Sequence, residues 1–229
     1  MKIIFVKKIS STEDYIRKLL KKLIKTREDT AVIASVQTKG KGTKGRAFSS
    51  NIGGVYLSFV KFYDKFPAKD AFKINQKISV AVVKTLRAFN VRAKIKWPND
   101  IYAENKKICG MLINNSLSEK YVDYTVCGIG VNVNNGIPDE LKDIAISVNE
   151  ITGTKADLKS FVFTLLYNIE NTEEVGLYAR YSMIFGRKIK VCPLNGEPFI
   201  ATAEKVSDDG RLLLSDGRAL CAEEVSLKF

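Results

Sequence analysis

Residues 37–48 read QTKGKGTKGRAF and set Gly40, Gly42 and Gly45 among Lys39, Lys41, Lys44 and Arg46. Glycine lets backbone N–H groups approach a ligand closely and curl into a concave nest that favours an anion. The cations beside them add charge, so the stretch suits a flap that orders on a phosphate or a carboxylate. The chain has no histidine. That removes Ser-His-Asp and Cys-His schemes and every His-ligated metal site. Chemistry here has to come from Lys, Arg, Asp, Glu, Tyr or backbone dipoles.

The G-x-G-x-x-G spacing does not by itself choose the anion. A dinucleotide fingerprint opens a helix, whereas RAFSSNIGGVYLS comes next here, with Gly53-Gly54 and a β-rich run. A Walker A loop needs Lys-Ser/Thr where Arg46-Ala47 stand. Gly42–Gly45 also supplies the GxxG of an RNA-clamping KH loop, normally set between helices. A solvated basic surface loop accounts for the same residues without any ligand.

A second group stands at 96–112: KWPNDIY, then KKICGML after a short turn. It holds Lys96, Asn99 and Asp100 around the chain's one tryptophan, Trp97, and the adjacent Lys106-Lys107. Alternation along a strand sends those two lysines to opposite faces. Taken in order, Ser10-Ser11-Thr12, Gln37 with GKGTKGR, KWPND, KKICGML, GIGVNVN at 128–134 and the terminal GRLLLSDG…EEVSL resemble the biotin protein ligases over nearly the whole chain.

The resemblance implies an ATP-dependent enzyme that makes biotinyl-5′-AMP and passes biotin to a lysine of a biotin carboxyl carrier protein, with Mg²⁺ assisting. It puts Ser11 and Thr12 against the ureido ring, with Glu13 where the family usually has Asn. Gln37 bonds the biotin head, and Gly40, Lys41, Gly42 and Thr43 wrap the adenylate. Arginine is common in the family where Lys41 and Thr43 stand, so the bidentate fork is lost at one and the charge at the other. Lys107 sits at the reacting centre, and Gly110 lets backbone approach the ligand. Arg46, Phe48, Lys96, Trp97, Asn99 and Asn132 belong to the nucleotide, and Asp100 orients or deprotonates the acceptor amine. No metal ligands are assigned. No helix-turn-helix precedes the motifs, so no DNA partner is expected; a homodimer is. The competing readings are a lipoate or octanoate ligase of the same fold and a basic nucleic-acid-binding module.

Elements must hold these groups in place. Strands are expected over 2–9, 30–37 and 53–62, in AKIKW, and in a hairpin about Glu104–Asn105, with a long strand in YVDYTVCGIGVNV. Apolar residues at helical spacing mark helices: one after a Ser11–Asp14 capping box, with Ile16, Leu19, Leu20, Leu23 and Ile24 inward, then 69–89 and 156–175. After about residue 186, short β runs with Asn195-Gly196, Asp209-Gly210 and Asp216-Gly217 turns read as a small all-β unit. The expected fold is α+β: a class II synthetase-like mixed sheet flanked by helices over residues 1–184, and an SH3-like β-barrel over 185–229.

The 229 residues carry a net charge of +12, which attracts nucleotides, nucleic acid or an acidic partner without choosing among them. No apolar run approaches the roughly 20 residues of a membrane span, and MKIIFVKKIS lacks a signal-peptide pattern, so a cytoplasmic protein is expected. Cys109, Cys127, Cys192 and Cys221 stand singly, without the paired spacing of a zinc or disulfide site.

Overall fold

The computed structural model describes residues 1–173 and 176–228; Glu174, Val175 and Phe229, and the side chains of Lys44 and Lys228, lie outside it. One mixed sheet is built from β1 (Lys2–Val6), β2 (Thr30–Ala34), β3 (Val55–Pro67), β4 (Lys94–Lys96), β5 (Asp100–Ala103), β6 (Lys106–Leu117) and β7 (Tyr121–Val131). The spatial order is β1-β2-β3-β7-β6-β5-β4. In this sheet β1 and β2 run parallel, joined by α1 (Thr12–Thr26); the other neighbours pair antiparallel. The β5–β6 hairpin turns at Glu104 and Asn105, both with positive φ (49° and 61°), the geometry of a two-residue turn matched to strand twist.

The sheet's faces differ, because successive side chains point to opposite sides. Leu57, Phe59, Cys127, Ile129, Cys109 and Met111 are buried in the main core with residues of α2 (Ala71–Ala88) and α4 (Leu158–Asn171). On the other side, Val32, Val60 and Val126 pack with Ile16 and Leu23 of α1. The short α3 (Val148–Thr152) comes after a looped segment beyond β7. A second sheet, wholly antiparallel, comprises β8 (Lys188–Pro193), β9 (Phe199–Val206), β10 (Leu212–Leu214), β11 (Ala219–Leu220) and β12 (Val225–Lys228), in the order β11-β10-β9-β8-β12.

The elements depart from the sequence pattern mainly at their ends. The first two strands stop at Val6 and Ala34, after which a single bridge, Ile9 to Gln37, carries the chain toward the flap. Ile24 is exposed, since it lies about 80° round α1 from Ile16. Ser11 caps α1 by accepting from Asp14 N at 3.3 Å, but the Asp14 carboxylate reaches Lys41. The helix expected over 156–175 spans Leu158–Asn171, with its last two expected residues outside the described residues, and a further short helix, α5 (Leu177–Tyr181), carried no clear periodic signal. The three Gly turns of the second sheet do adopt positive φ.

Candidate active site

The register of the three central strands lays out the floor of a cavity. Tyr56, Gly130 and Gly110 form one row across β3, β7 and β6; Ser58, Gly128 and Leu112 form the next. Both rows stand on the face that α1 covers only in part. Three of the six positions have no side chain, so a trench runs across the sheet. The cavity is lined from above by Ser11, Thr12, Glu13, Gln37, Lys41, Gly42, Thr43 and Phe48.

One end of the trench is a part-buried chain of neutral hydrogen bonds. Gln37 Oε1 accepts from Thr12 N at 2.8 Å and from Thr12 Oγ1 at 3.0 Å. Thr12 has one hydroxyl proton and gives it to Gln37, so Ser58, 2.8 Å away, donates to Thr12. Gln37 Nε2 donates to Ser50 Oγ at 3.0 Å, and Ser50 passes its proton to the Phe48 carbonyl. Glu13, at this end of α1, is paired with Arg17 at 2.7 Å.

The other end is charged. Lys107 Nζ lies 2.6 Å from Asp100 Oδ1, both side chains about 30% exposed (31% and 28%). Lys107 and Gly110 are three residues apart, so in a regular strand they would face opposite ways. A bulge solves this: Ile101 pairs with Cys109 but Tyr102 with Lys107, leaving Ile108 as the extra residue. Lys107 therefore shares the trench face, and a Cβ on Gly110 would lie 3.1 Å from its Cε. The backbone of Lys107 is strapped at 2.8 Å to Ile144 O and at 3.1 Å to Ile146 N. Lys106 turns outward and bonds Lys142 O.

The glycine-rich segment folds back over the trench. Thr38 N and Lys39 N bond Ile9 O and Ser10 O, Phe48 N bonds Gly40 O at 2.9 Å, and Gly42 N bonds Arg46 O at 2.7 Å. Gly40 admits no side chain, since a Cβ would come within 2.5 Å of both Phe48 O and Ser50 Oγ. Residues Thr43–Gly45 make one 3₁₀ turn at the tip. Lys41 sits on Asp14 at 2.5 Å, and that hydrogen bond holds its ammonium above the usual lysine range. The Phe48 ring lies on the floor glycines: a Cβ at Gly130 would be 2.5 Å from its Cε1. Beneath it, burial pushes the Tyr56 phenol well up, and its hydroxyl donates to Asn51 O.

Ser11, Thr12, Glu13, Gln37, Lys41, Gly42, Thr43, Phe48, Lys107 and Gly110 are thus brought to one cavity, and Gly40 joins the two arms of its flap through the bond from Phe48 N. Asp100 meets it through Lys107. Asn99 lines the neighbouring cleft against the second sheet, with Asp100 and Thr43, and reaches Met111 O at 3.5 Å. Arg46 is exposed on the flap. Asn132 is 7% exposed and spends its amide within the loop, donating to Ile146 O and accepting from Asn135. Lys96 and Trp97 face the second sheet: Lys96 Nζ donates to Leu227 O and Trp97 Nε1 to Gly210 O. Burial draws the Lys96 amine below its ordinary range.

Sequence reasoning passed over Ser50, Ser58, Leu112, Gly128, Gly130 and Asp14. A signal existed for three: Ser58 interrupts an apolar strand, and Gly128 and Gly130 clear one face by their i, i+2 spacing. Ser50, Leu112 and Asp14 gave none that points to a site.

The sequence profile of the biotin/lipoate A/B protein ligase family matches residues 5–132. A bifunctional ligase/repressor of Bacillus subtilis is 33% identical over 208 residues, covering 84% of this chain and 63% of that protein. The chain therefore spans a little under two thirds of the length of that relative. A biotin–[acetyl-CoA-carboxylase] ligase of Mycobacterium tuberculosis is 24% identical over 204 residues, covering 83% of this chain and 74% of that one. Among solved structures, a biotin protein ligase from Aquifex aeolicus in complex with biotin and ATP superposes with a TM-score of 0.78 at 28% identity, covering 99% of this chain and 98% of the other.

Proposed function

We propose, for a chain that belongs to the biotin/lipoate A/B protein ligase family, that the trench is the active site of an ATP-dependent biotin–protein ligase. The observation that carries the reading is the polarity of the cavity. An end of neutral hydrogen-bonding groups (Ser11, Thr12, Gln37, Ser58), beside which Glu13 is neutralised by Arg17, is separated by a glycine floor from a lysine at the other end. Biotin has that polarity: a neutral ureido ring with two N–H donors and one acceptor, an apolar chain, and a carboxylate. The ligands named for the Aquifex aeolicus structure, biotin and ATP, agree with it.

In the first step the biotin carboxylate attacks the α-phosphorus of ATP, the bond to the β-phosphate breaks, and pyrophosphate leaves. Carboxylate and phosphate repel, so fixed positive charge in a water-poor site lowers the barrier. Lys107 is placed to supply it, and Lys41 adds to it once it leaves Asp14. The product, biotinyl-5′-AMP, is a mixed anhydride open to hydrolysis. The flap from Gln37 to Phe48, with Gly40, Gly42 and Thr43, shields it. In the second step the acceptor's neutral lysine amine attacks the acyl carbon, the bond to AMP breaks, and AMP leaves. Asp100, 2.6 Å from Lys107, is the carboxylate available to orient that amine or take its proton.

For the nucleotide, Arg46, Phe48 and Asn99 are retained; Asn132 would have to release its bonds within the loop to reach adenine. Mg²⁺, when bound, would neutralise phosphate charge. Among the described residues no group of three or more Cys, Asp or Glu forms a cage for it, so the nucleotide's own phosphates would carry it. The acceptor is proposed to be a biotin carboxyl carrier protein. The catalytic unit is assigned to residues 1–184 and an SH3-like unit to 185–229. A homodimer is proposed through the sheet edge at β1, where Phe5 is exposed. A cytoplasmic setting is proposed; among the described residues no helix is long and apolar enough to cross a membrane.

The test is mass spectrometry of the purified protein after incubation with Mg²⁺, ATP and either biotin or lipoate. Retained biotinyl-adenylate with biotin alone supports the reading; an adenylate with lipoate alone moves the chain to the other branch of its family.

A further inference from the structure

We infer that Trp97 is a positioning residue, through which the second sheet holds Asp100 against Lys107. The turn at 96–100 has two sides. On its far side three consecutive residues are each tied to the C-terminal part of the chain. Lys96 Nζ donates to Leu227 O at 2.9 Å, Trp97 Nε1 donates to Gly210 O at 2.9 Å, and Pro98 O accepts from Tyr178 at 2.7 Å. On its near side the next two residues address the site: Asn99 reaches Met111 O, and Asp100 pairs with Lys107. β4 itself is only three residues long and lies at the edge of the main sheet. Its ladder ends on the pair Lys96–Asp100 and so holds the backbone at both ends of the turn, while the three residues between them, 97–99, lie outside it and are fixed by what grips them from the second sheet and α5.

Burial shows which grip dominates. Trp97 is 4% exposed, and its ring belongs to the second sheet's core, with Leu212, Leu214, Ile189 and Ala203, rather than to the trench. The acceptor, Gly210 O, is itself fixed. Gly210 has a φ of +90°, and a Cβ there would strike the Phe72 ring at 2.5 Å, so no other residue fits without displacing α2 or the turn. A buried indole N–H that lost this acceptor would leave both groups unpaired. The bond is therefore a firm link between the two sheets, three residues from the carboxylate that sets Lys107. Trp97 acts on the chemistry through Asp100 and need touch neither biotin nor nucleotide.

The test reads Lys107 directly, without substrates. A lysine held in an ion pair is a poorer nucleophile than a free one, so competitive amine acetylation, read by peptide mass spectrometry, reports the pair. Asp100→Asn should speed labelling of Lys107 about two- to fivefold, the range for a partly exposed pair. Trp97→Phe, which keeps the ring packing and removes the donor, should reproduce most of that rise while exposed Lys25 labels as before. Tyr178→Phe, which loosens the neighbouring grip, serves if Trp97→Phe does not fold. The double variant with Asp100→Asn should label no faster than Asp100→Asn alone, because both changes act on one pair. Lys107 labelling at the wild-type rate in the folded single variants, or additive effects in the double variant, would overturn the inference. It does not depend on the ligase reading: a wild-type protein that forms no biotinyl-adenylate while Lys107 responds as described would refute that reading and leave this one standing.

Discussion

Gly128→Ala should separate stability from ligand binding. The added Cβ would stand 3.4 Å from Ser58 Oγ and 3.9 Å from Leu112 Cβ, ordinary contact with the trench walls. Gly128 lies inside β7 and is not among the positive-φ glycines, so alanine fits the backbone. Reduced freedom of the unfolded chain then stabilises the fold by about 0.4–1 kcal/mol, a rise in melting temperature of roughly 1–4 °C for a chain of this size. The same methyl projects into the trench between Ser58 and Leu112, where the biotin ring would rest. Overpacking costs about 1–3 kcal/mol, a roughly 5- to 150-fold weakening of Kd. Calorimetric titration with biotin and a thermal melt on the same sample read both numbers. Unchanged biotin affinity in a variant that melts at or above the wild-type temperature would show that the ligand does not lie on this floor.

Lys107→Ala should lower adenylate formation by at least about a hundredfold, the scale for losing a preorganised charge at a developing transition state, with melting little changed, as measured by biotin-dependent ATP–pyrophosphate exchange. Gly130→Ala must push the Phe48 ring off the floor, since a Cβ meets it at 2.5 Å; the expected sign is weaker nucleotide binding in equilibrium dialysis. Thr12→Val strips Ser58 Oγ of its acceptor and Gln37 Oε1 of one donor, so it should cost about 1–3 kcal/mol in chemical denaturation and raise the KM for biotin more than that for ATP. Thr43→Arg puts a guanidinium at the tip of the flap. One charge-assisted bond to the adenylate phosphate, about 1.5–3 kcal/mol, should slow adenylate release about 10- to 150-fold, measured by rapid gel filtration.

The parts of the site legible in the sequence are those whose reason is local. The glycine flap shows because Gly40 and its neighbours are needed whatever packs around them, and α1 shows because its apolar stripe repeats at helical spacing. Lys107 and Gly110 were paired by resemblance, but simple alternation would have put them on opposite faces. The bulge at Ile108 that unites them depends on β5 being one residue shorter than β6 needs, which no window of either strand reveals. The resemblance sets Trp97 with the nucleotide-binding residues; its packing in the second sheet's core and its bond to Gly210, 113 residues on, lie beyond any local pattern. Asp14 looked like a helix-capping partner, and the competing pull of Lys41 is a contact between two segments whose approach only the fold decides.

The most direct test of the account is a crystal structure of the protein with biotin and a non-hydrolysable ATP analogue. The account predicts the ureido ring between Thr12, Gln37 and Ser58, the carboxylate within hydrogen-bond reach of Lys107, and residues 37–48 closed over both ligands. Ligands bound elsewhere, with 37–48 without ordered density and the trench floor empty, would contradict it.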